Sequence, residues 1–167
     1  MGRVPALPFL ACPPGGARVD KIDAWHENRT KIPPGKYLLK CIDAKRAGIW
    51  LEGKGGWGRS EKIVLWFEVF QGDHTGAVIP MFLTLGKNDK IPQGSKYFLS
   101  WCIANGLRRP LRGRLKEMPP SKFLSKVFEG EVVDVIPRYK TGEQQPELFH
   151  YSRVDVLYEL AIGNAEH

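Results

Sequence analysis

The residues best equipped for chemistry are aromatic and cationic rather than nucleophilic. Within EKIVLWFEVFQGDHTGAVIPMFLTLG, residues 61–86, two strands are joined by a turn. Period-two alternation puts Trp66, Phe70 and Phe82 on the face opposite Ile63, Leu65, Phe67, Val69, Ile79, Met81, Leu83 and Leu85. Glu68 marks the aromatic face as the wetter one. Just before this hairpin, EGKGGWGRS offers Lys54, Trp57 and Arg59 in a glycine-rich loop expected to be mobile. Further on, LRRPLRGRLK gathers Arg108, Arg109, Arg112, Arg114 and Lys116. Soluble chains seldom leave large rings on a wet face without a use for them. Open rings stack on planar bases, and guanidinium forks grip phosphates. The chemistry favoured is therefore non-covalent: stacking and phosphate contact along a single strand.

Covalent and metal chemistry find less support. EGKGGWGRS is not a nucleotide-phosphate loop, because that motif carries Lys followed by Ser or Thr after its second glycine and opens a helix, whereas a strand follows here. Cys12, Cys41 and Cys102 form no CxxC pair, and Cys102 has no evident base partner. A nuclease needs clustered carboxylates for Mg²⁺, but Asp73, Asp134 and Asp155 fall on a turn and on separate strands. His26, His74, His150 and His167 lack ligand spacing. No catalytic residue, metal or cofactor is expected. The stronger rival is a protein–protein module using the same aromatic hairpin, since aromatics and Arg are also enriched at protein interfaces.

Charge distribution supports a polyanion. The 167-residue chain carries a formal net charge of +7. Residues 31–60 hold seven cations against two carboxylates, residues 91–126 eight against one, and residues 127–167 three against eight. Positive charge thus brackets the hairpin, and a nucleic-acid partner is the natural inference. No apolar run approaches the roughly 20 residues that span a bilayer, so no membrane association is expected, and a reducing cytoplasm is the expected compartment.

The positioning elements follow from punctuation and periodicity. Residues 1–34, rich in Pro and Gly, read as a flexible arm, residues 35–160 as the domain, and residues 161–167 as a short tail. A long first strand opens at KYLLKC and curves, with Gly48 as its expected bend or bulge. Pro80 demands a position without a ladder bond. SKYFLSWCIANG predicts one helix, capped by Ser95 and ended by Gly106, with Phe98, Leu99, Trp101, Cys102 and Ile103 on its apolar side. A fourth strand over 126–139 has Gly130 as its expected bulge. A fifth over 150–160 alternates Ser152, Val154, Val156, Tyr158 and Leu160 with Tyr151, Arg153, Asp155, Leu157 and Glu159.

This order, with PPGKY opening the first strand, KIVLWFEVF, GSKYFLSWCIANG, FLSKVFEGEVVDV and HYSRVDVLYEL, resembles an OB-fold single-stranded-DNA-binding protein of the phage or mobile-element type. The resemblance implies an all-β, five-stranded Greek-key OB barrel with one α-helix between strands 3 and 4. It also implies stacking on Trp57, Trp66, Phe70 and Phe82, with phosphates held by Lys54, Arg59 and the arginines after the helix. Expected partners are single-stranded DNA, with RNA as the alternative, a second copy of the chain, and replication or recombination proteins of the same element. The ending GNAEH departs from the acidic tip that recruits partners in housekeeping bacterial members, so that recruitment role is not expected here.

Overall fold

The computed structural model describes residues 30–53, 56–139 and 141–162, with the backbone alone over 49–53 and 56–60. The described strands are β1 (Gly35–Gly53), β2 (Gly56–Val69), β3 (Val78–Thr84), β4 (Val127–Val135) and β5 (Tyr151–Ile162); a single helix, α1 (Lys96–Ala104), lies between β3 and β4. The strands form one antiparallel sheet in the order β3-β2-β1-β4-β5. The class is all-β, as expected. β3 and β5 lie alongside each other without a shared ladder, so the sheet is not closed.

The hairpin forms as its alternation dictates. Ile63, Leu65, Phe67 and Val69 of β2 are buried, as are Ile79, Met81, Leu83 and Leu85 on and just after β3. Pro80 lies in β3, whose only ladder partner among the described residues is β2, so the missing N–H is tolerated on an edge strand. β1 is shared, as expected of a long curved strand: its first residues pair with β4 and the remainder with β2. Its irregularity falls between Cys41 and Asp43, however, and not at Gly48, where the ladder continues opposite Glu61. There the Cys41 N–H donates to the Lys126 carbonyl, and the Ser125 N–H donates to the Cys41 carbonyl. Burial pushes the Cys41 thiol up to about 12, so it is an inert core residue.

β5 breaks the expected alternation for a physical reason. Its pairing with β4 shifts register three times, passing over Asp155, Tyr158 and Ala161. Each extra residue is a bulge on β5, so its inward residues become Val154, Leu157 and Leu160, three apart rather than two. Gly130 is not itself the bulge. A Cβ there would sit 2.9 Å from Leu39 Cδ1, 3.0 Å from the Val156 carbonyl oxygen and 3.1 Å from Leu157 Cδ2. Glycine is required because the inner layer closes directly over the β4 backbone.

α1 starts where predicted. The Ser95 hydroxyl accepts from the Phe98 N–H at 3.2 Å, and Gly106 adopts a φ of 67° just past the end. The helix buries Tyr97, Phe98, Ser100, Trp101 and Ala104. Leu99 is exposed instead, and Cys102 and Ile103 are only half-buried. Tyr97 donates to the Met118 carbonyl at 2.6 Å, and Trp101 Nε1 to the Pro119 carbonyl at 3.2 Å. Both polar tips are thus satisfied inside the core. Ring contacts then run from Tyr97 to Phe123, from Phe123 to Phe128 on β4, and from Phe128 to Phe67 on β2, at centroid separations of 6.0, 6.1 and 6.0 Å.

The segment before β1 is part of the fold from residue 30. Ile32 is only 4% exposed. Its N–H donates to Ser152 Oγ at 2.9 Å, that hydroxyl donates to the Ile32 carbonyl at 3.0 Å, and the Ser152 N–H donates to the Thr30 carbonyl at 3.0 Å. The remainder of the expected arm, residues 1–29, and residues 163–167 of the expected tail lie outside the described residues. Ser152→Ala leaves the buried Ile32 N–H without its acceptor and is expected to cost about 1–3 kcal/mol. Gly130→Ala overpacks the Leu39–Leu157 contact and is expected to cost about 1–3 kcal/mol. Urea unfolding of each variant measures both.

Candidate nucleic-acid interface

The outer face of β2 and β3 is organised by cross-strand pairs. Trp66 stands opposite Pro80, Val64 opposite Phe82, and Lys62 opposite Thr84. Direct partners in an antiparallel ladder lie about 4.5–5.5 Å apart at Cβ. Val64, at 2% exposure, and Pro80 are buried and form a floor; Trp66 and Phe82 are half-buried above it. Phe70 follows β2 directly, is 42% exposed, and is fixed by its N–H donating to the Leu38 carbonyl. The hairpin aromatics therefore do share a ridge on the non-core face, with Phe70 at one end and Lys62 at the other. At roughly 3.3 Å per residue, eight residues of strand make the ridge about 26 Å long.

Two cations that sequence reasoning passed over sit at its edge. Lys62 Nζ donates to Thr84 Oγ1 at 3.2 Å, in register with Val64 and Trp66. Burial, and then the nearby charge of Arg153 on β5, push the Lys62 ammonium below its ordinary value. Arg153 reaches Asp155 at 3.5 Å, but its Nε is buried without a hydrogen-bond partner among the described residues. Like charges brought together and incompletely compensated favour an anion between or beside them. Lys62 on β2 reaches Thr84 on β3, and β3 runs alongside β5, which carries Arg153; nothing in the one-dimensional pattern announces that approach.

The outer face of β4 and β5 has the opposite character. Glu129 faces Glu159 across the ladder and takes Lys36 at 3.5 Å; Glu131 accepts from the Tyr158 hydroxyl; and Lys36 Nζ lies 4.7 Å over the Tyr158 ring. Carboxylates on that face disfavour an anionic ligand there.

The loop after α1 is exposed at Arg108, Arg109, Arg112 and Arg114, and no carboxylate among the described residues pairs with them. It is stitched to the segment following β3: the Ile91 N–H donates to the Gly113 carbonyl, the Leu115 N–H donates to the Asp89 carbonyl, and Lys90 bridges Arg114. Arg112 and Arg114 therefore lie toward the Lys62 end of the ridge, remote from Phe70. Arg109 instead lines a groove on α1.

The expected loop over 52–60 is corrected to strand at 52–53 and 56–60; residues 54–55 lie outside the described residues. The β1–β2 ladder continues outward to Gly53 opposite Gly56, with Trp57 opposite Glu52 and Arg59 opposite Trp50. β3 ends opposite Lys62, so this outer part is a two-stranded ribbon among the described residues. Trp57 and Arg59 occupy odd register positions, those of core-facing Ile63 and Leu65, not those of Trp66. Lys54 lies outside the described residues, as do the side chains of Trp57 and Arg59. β4 ends at Val135 rather than at 139, so Arg138 and Tyr139 fall in the connection to β5, both exposed.

Comparison with family models, with curated proteins and with solved structures returns no match. The geometry itself distinguishes ridge from core. Phe67→Ala is expected to cost about 3–5 kcal/mol, and Trp66→Ala, one residue along but on the half-buried outer face, less than half of that. Comparing the two urea midpoints checks which face each ring serves.

Proposed function

We propose that the chain binds single-stranded DNA, without catalysis and with little sequence preference, across the outer face of β2 and β3. The observation that carries this reading is the ridge: Trp66 and Phe82 over the Val64–Pro80 floor, with Phe70 at one end and Lys62 beside Arg153 at the other. An OB-type reading is supported by the five antiparallel strands, the helix between the third and fourth, and the first strand shared between β2 and β4. In such a barrel the second and third strands and the β1–β2 and β4–β5 loops meet the oligonucleotide. Arg138 and Tyr139 on the β4–β5 loop fit that use, as do Trp57 and Arg59 on the ribbon.

Binding is passive. Each stacked base contributes roughly 1–3 kcal/mol, and every base presents a usable ring face, so sequence preference is weak. Cations track the phosphates and release counterions. Four neutralised phosphates on a single strand give a slope of about −3 in log affinity against log salt.

Fluorescence anisotropy with a labelled oligothymidylate, the matched RNA and a duplex is the test. Tight, salt-sensitive binding to the single strand, with Trp quenching and weak binding to duplex, is the expected result. Trp66→Ala is expected to weaken binding about 10-fold, in line with roughly 1–3 kcal/mol per stacked base, while circular dichroism stays unchanged. Lys62→Glu flattens the salt slope. Equal affinity for duplex, or wild-type affinity in Trp66→Ala, removes the ridge from the site.

A further inference from the structure

A second surface lies on the outer side of α1. Phe98, Leu99, Cys102, Ile103 and Leu107 line an open groove of about 460 Å³, with Arg109 on its wall. Leu99 is 56% exposed and Leu107 79%, and Leu111 in the same loop is 95% exposed. Isolated apolar residues on a surface are ordinary, but contiguous ones beside a ready-made groove mark an interaction site. The groove's rim is fixed. Gly106 and Leu107 both adopt left-handed backbone, with φ of 67° and 63°. The Leu107 N–H donates to the Cys102 carbonyl at 2.8 Å, and Asn105 Nδ2 donates to the Arg108 carbonyl at 3.1 Å. A non-glycine residue held in this conformation costs energy, and the result is to present Leu107 to solvent with Arg108 and Arg109 directly after it.

We infer that this groove docks an acidic peptide segment of a partner protein, its aliphatic or aromatic side chains seated between Leu99 and Leu107 and its carboxylates on Arg108 and Arg109. The charge argument is direct. No described carboxylate pairs with Arg108, Arg109, Arg112 or Arg114, and Lys122 and Lys126 add further positive charge near the end of the helix. Arg forms two-point contacts with carboxylates and pairs with apolar anchors at helix-lined grooves. Nucleic acid suits the groove less well. Stacking needs an open ring face, but the accessible apolar side chains are leucines, and Phe98, the one ring lining it among the described residues, is 7% exposed. A second copy presenting the same surface sets arginines against arginines. This surface is separate from the proposed single-strand ridge, and its test does not depend on that reading.

Random 12-residue peptides displayed on phage are selected against the full chain, and the selected peptides are then synthesised and titrated by anisotropy. Expected is enrichment in Asp and Glu together with Leu or Phe, with affinity lost at least 10-fold in Leu107→Ser and in Arg109→Glu, both exposed positions. Oligothymidylate affinity is expected to stay within twofold of wild type in Leu107→Ser. Selection of no peptides, selection of basic ones, or binding untouched by both substitutions overturns the proposal. So does full displacement of the peptide by oligothymidylate, which assigns the arginines to nucleic acid, or self-association abolished by Leu107→Ser, which assigns the groove to a second copy.

Discussion

The fold depends on four aromatic rings in contact: Tyr97, Phe123, Phe128 and Phe67. They join the helix to β4 and β4 to β2 through a single continuous apolar path. Burying such rings supplies far more stabilisation than any ion pair on this surface, where exposed pairs contribute little. Tyr97 and Trp101 also clamp the chain around Met118 and Pro119, so the stretch leading from the arginine-rich loop into β4 is held from beneath. The ridge on β2 and β3 is therefore the back of a rigid core: Phe67 anchors the same strand that offers Trp66 outward.

How much of this was legible from the chain depended on whether local periodicity survived folding. β2 and β3 were readable because each is antiparallel with its core residues at every second position, even though Val64 and Pro80 are buried on the other face as well. The helix ends were readable because Ser95 and Gly106 have backbone roles that few other residues fill. β5 was not, because bulges change its inward spacing to three and mix Leu157 into what reads as the outer set. That Tyr97 points inward and Leu99 outward is not legible in the chain, because a nine-residue helix apolar on most sides does not declare its buried face. The candidate site divides in the same way. Trp66, Phe70 and Phe82 follow from alternation on one hairpin. Lys62 and Arg153, 91 residues apart in the chain, come together across the seam between β3 and β5. A glycine-rich stretch read as a mobile loop is strand because its partner, residues 49–53, extends the ladder. Composition had no means of registering that pairing.

Charge is sorted by face. Acidic side chains occupy the outer side of β4 and β5, where Lys36 is consumed by Glu129 and Tyr158. Cations without carboxylate partners among the described residues lie around the far end of the helix and, at Lys62, on the β2–β3 side. The near-even composition of 25 Lys and Arg against 18 Asp and Glu therefore conceals a strongly polar molecule. On the proposed reading, such a distribution would orient an anionic strand before contact and disfavour the opposite surface.

The unlatched line between β3 and β5 has a mechanical meaning. A closed barrel has its diameter set by strand number and stagger, and altering it means breaking ladder bonds. Among the described residues four ladders are made and none joins β3 to β5, with Pro80 in β3 unable to donate and β5 carrying its three extra residues. Changes in curvature can therefore be taken up along that one line at little cost. Lys62 and Arg153 straddle it, so the spacing between these two charges is an adjustable dimension of an otherwise stiff body.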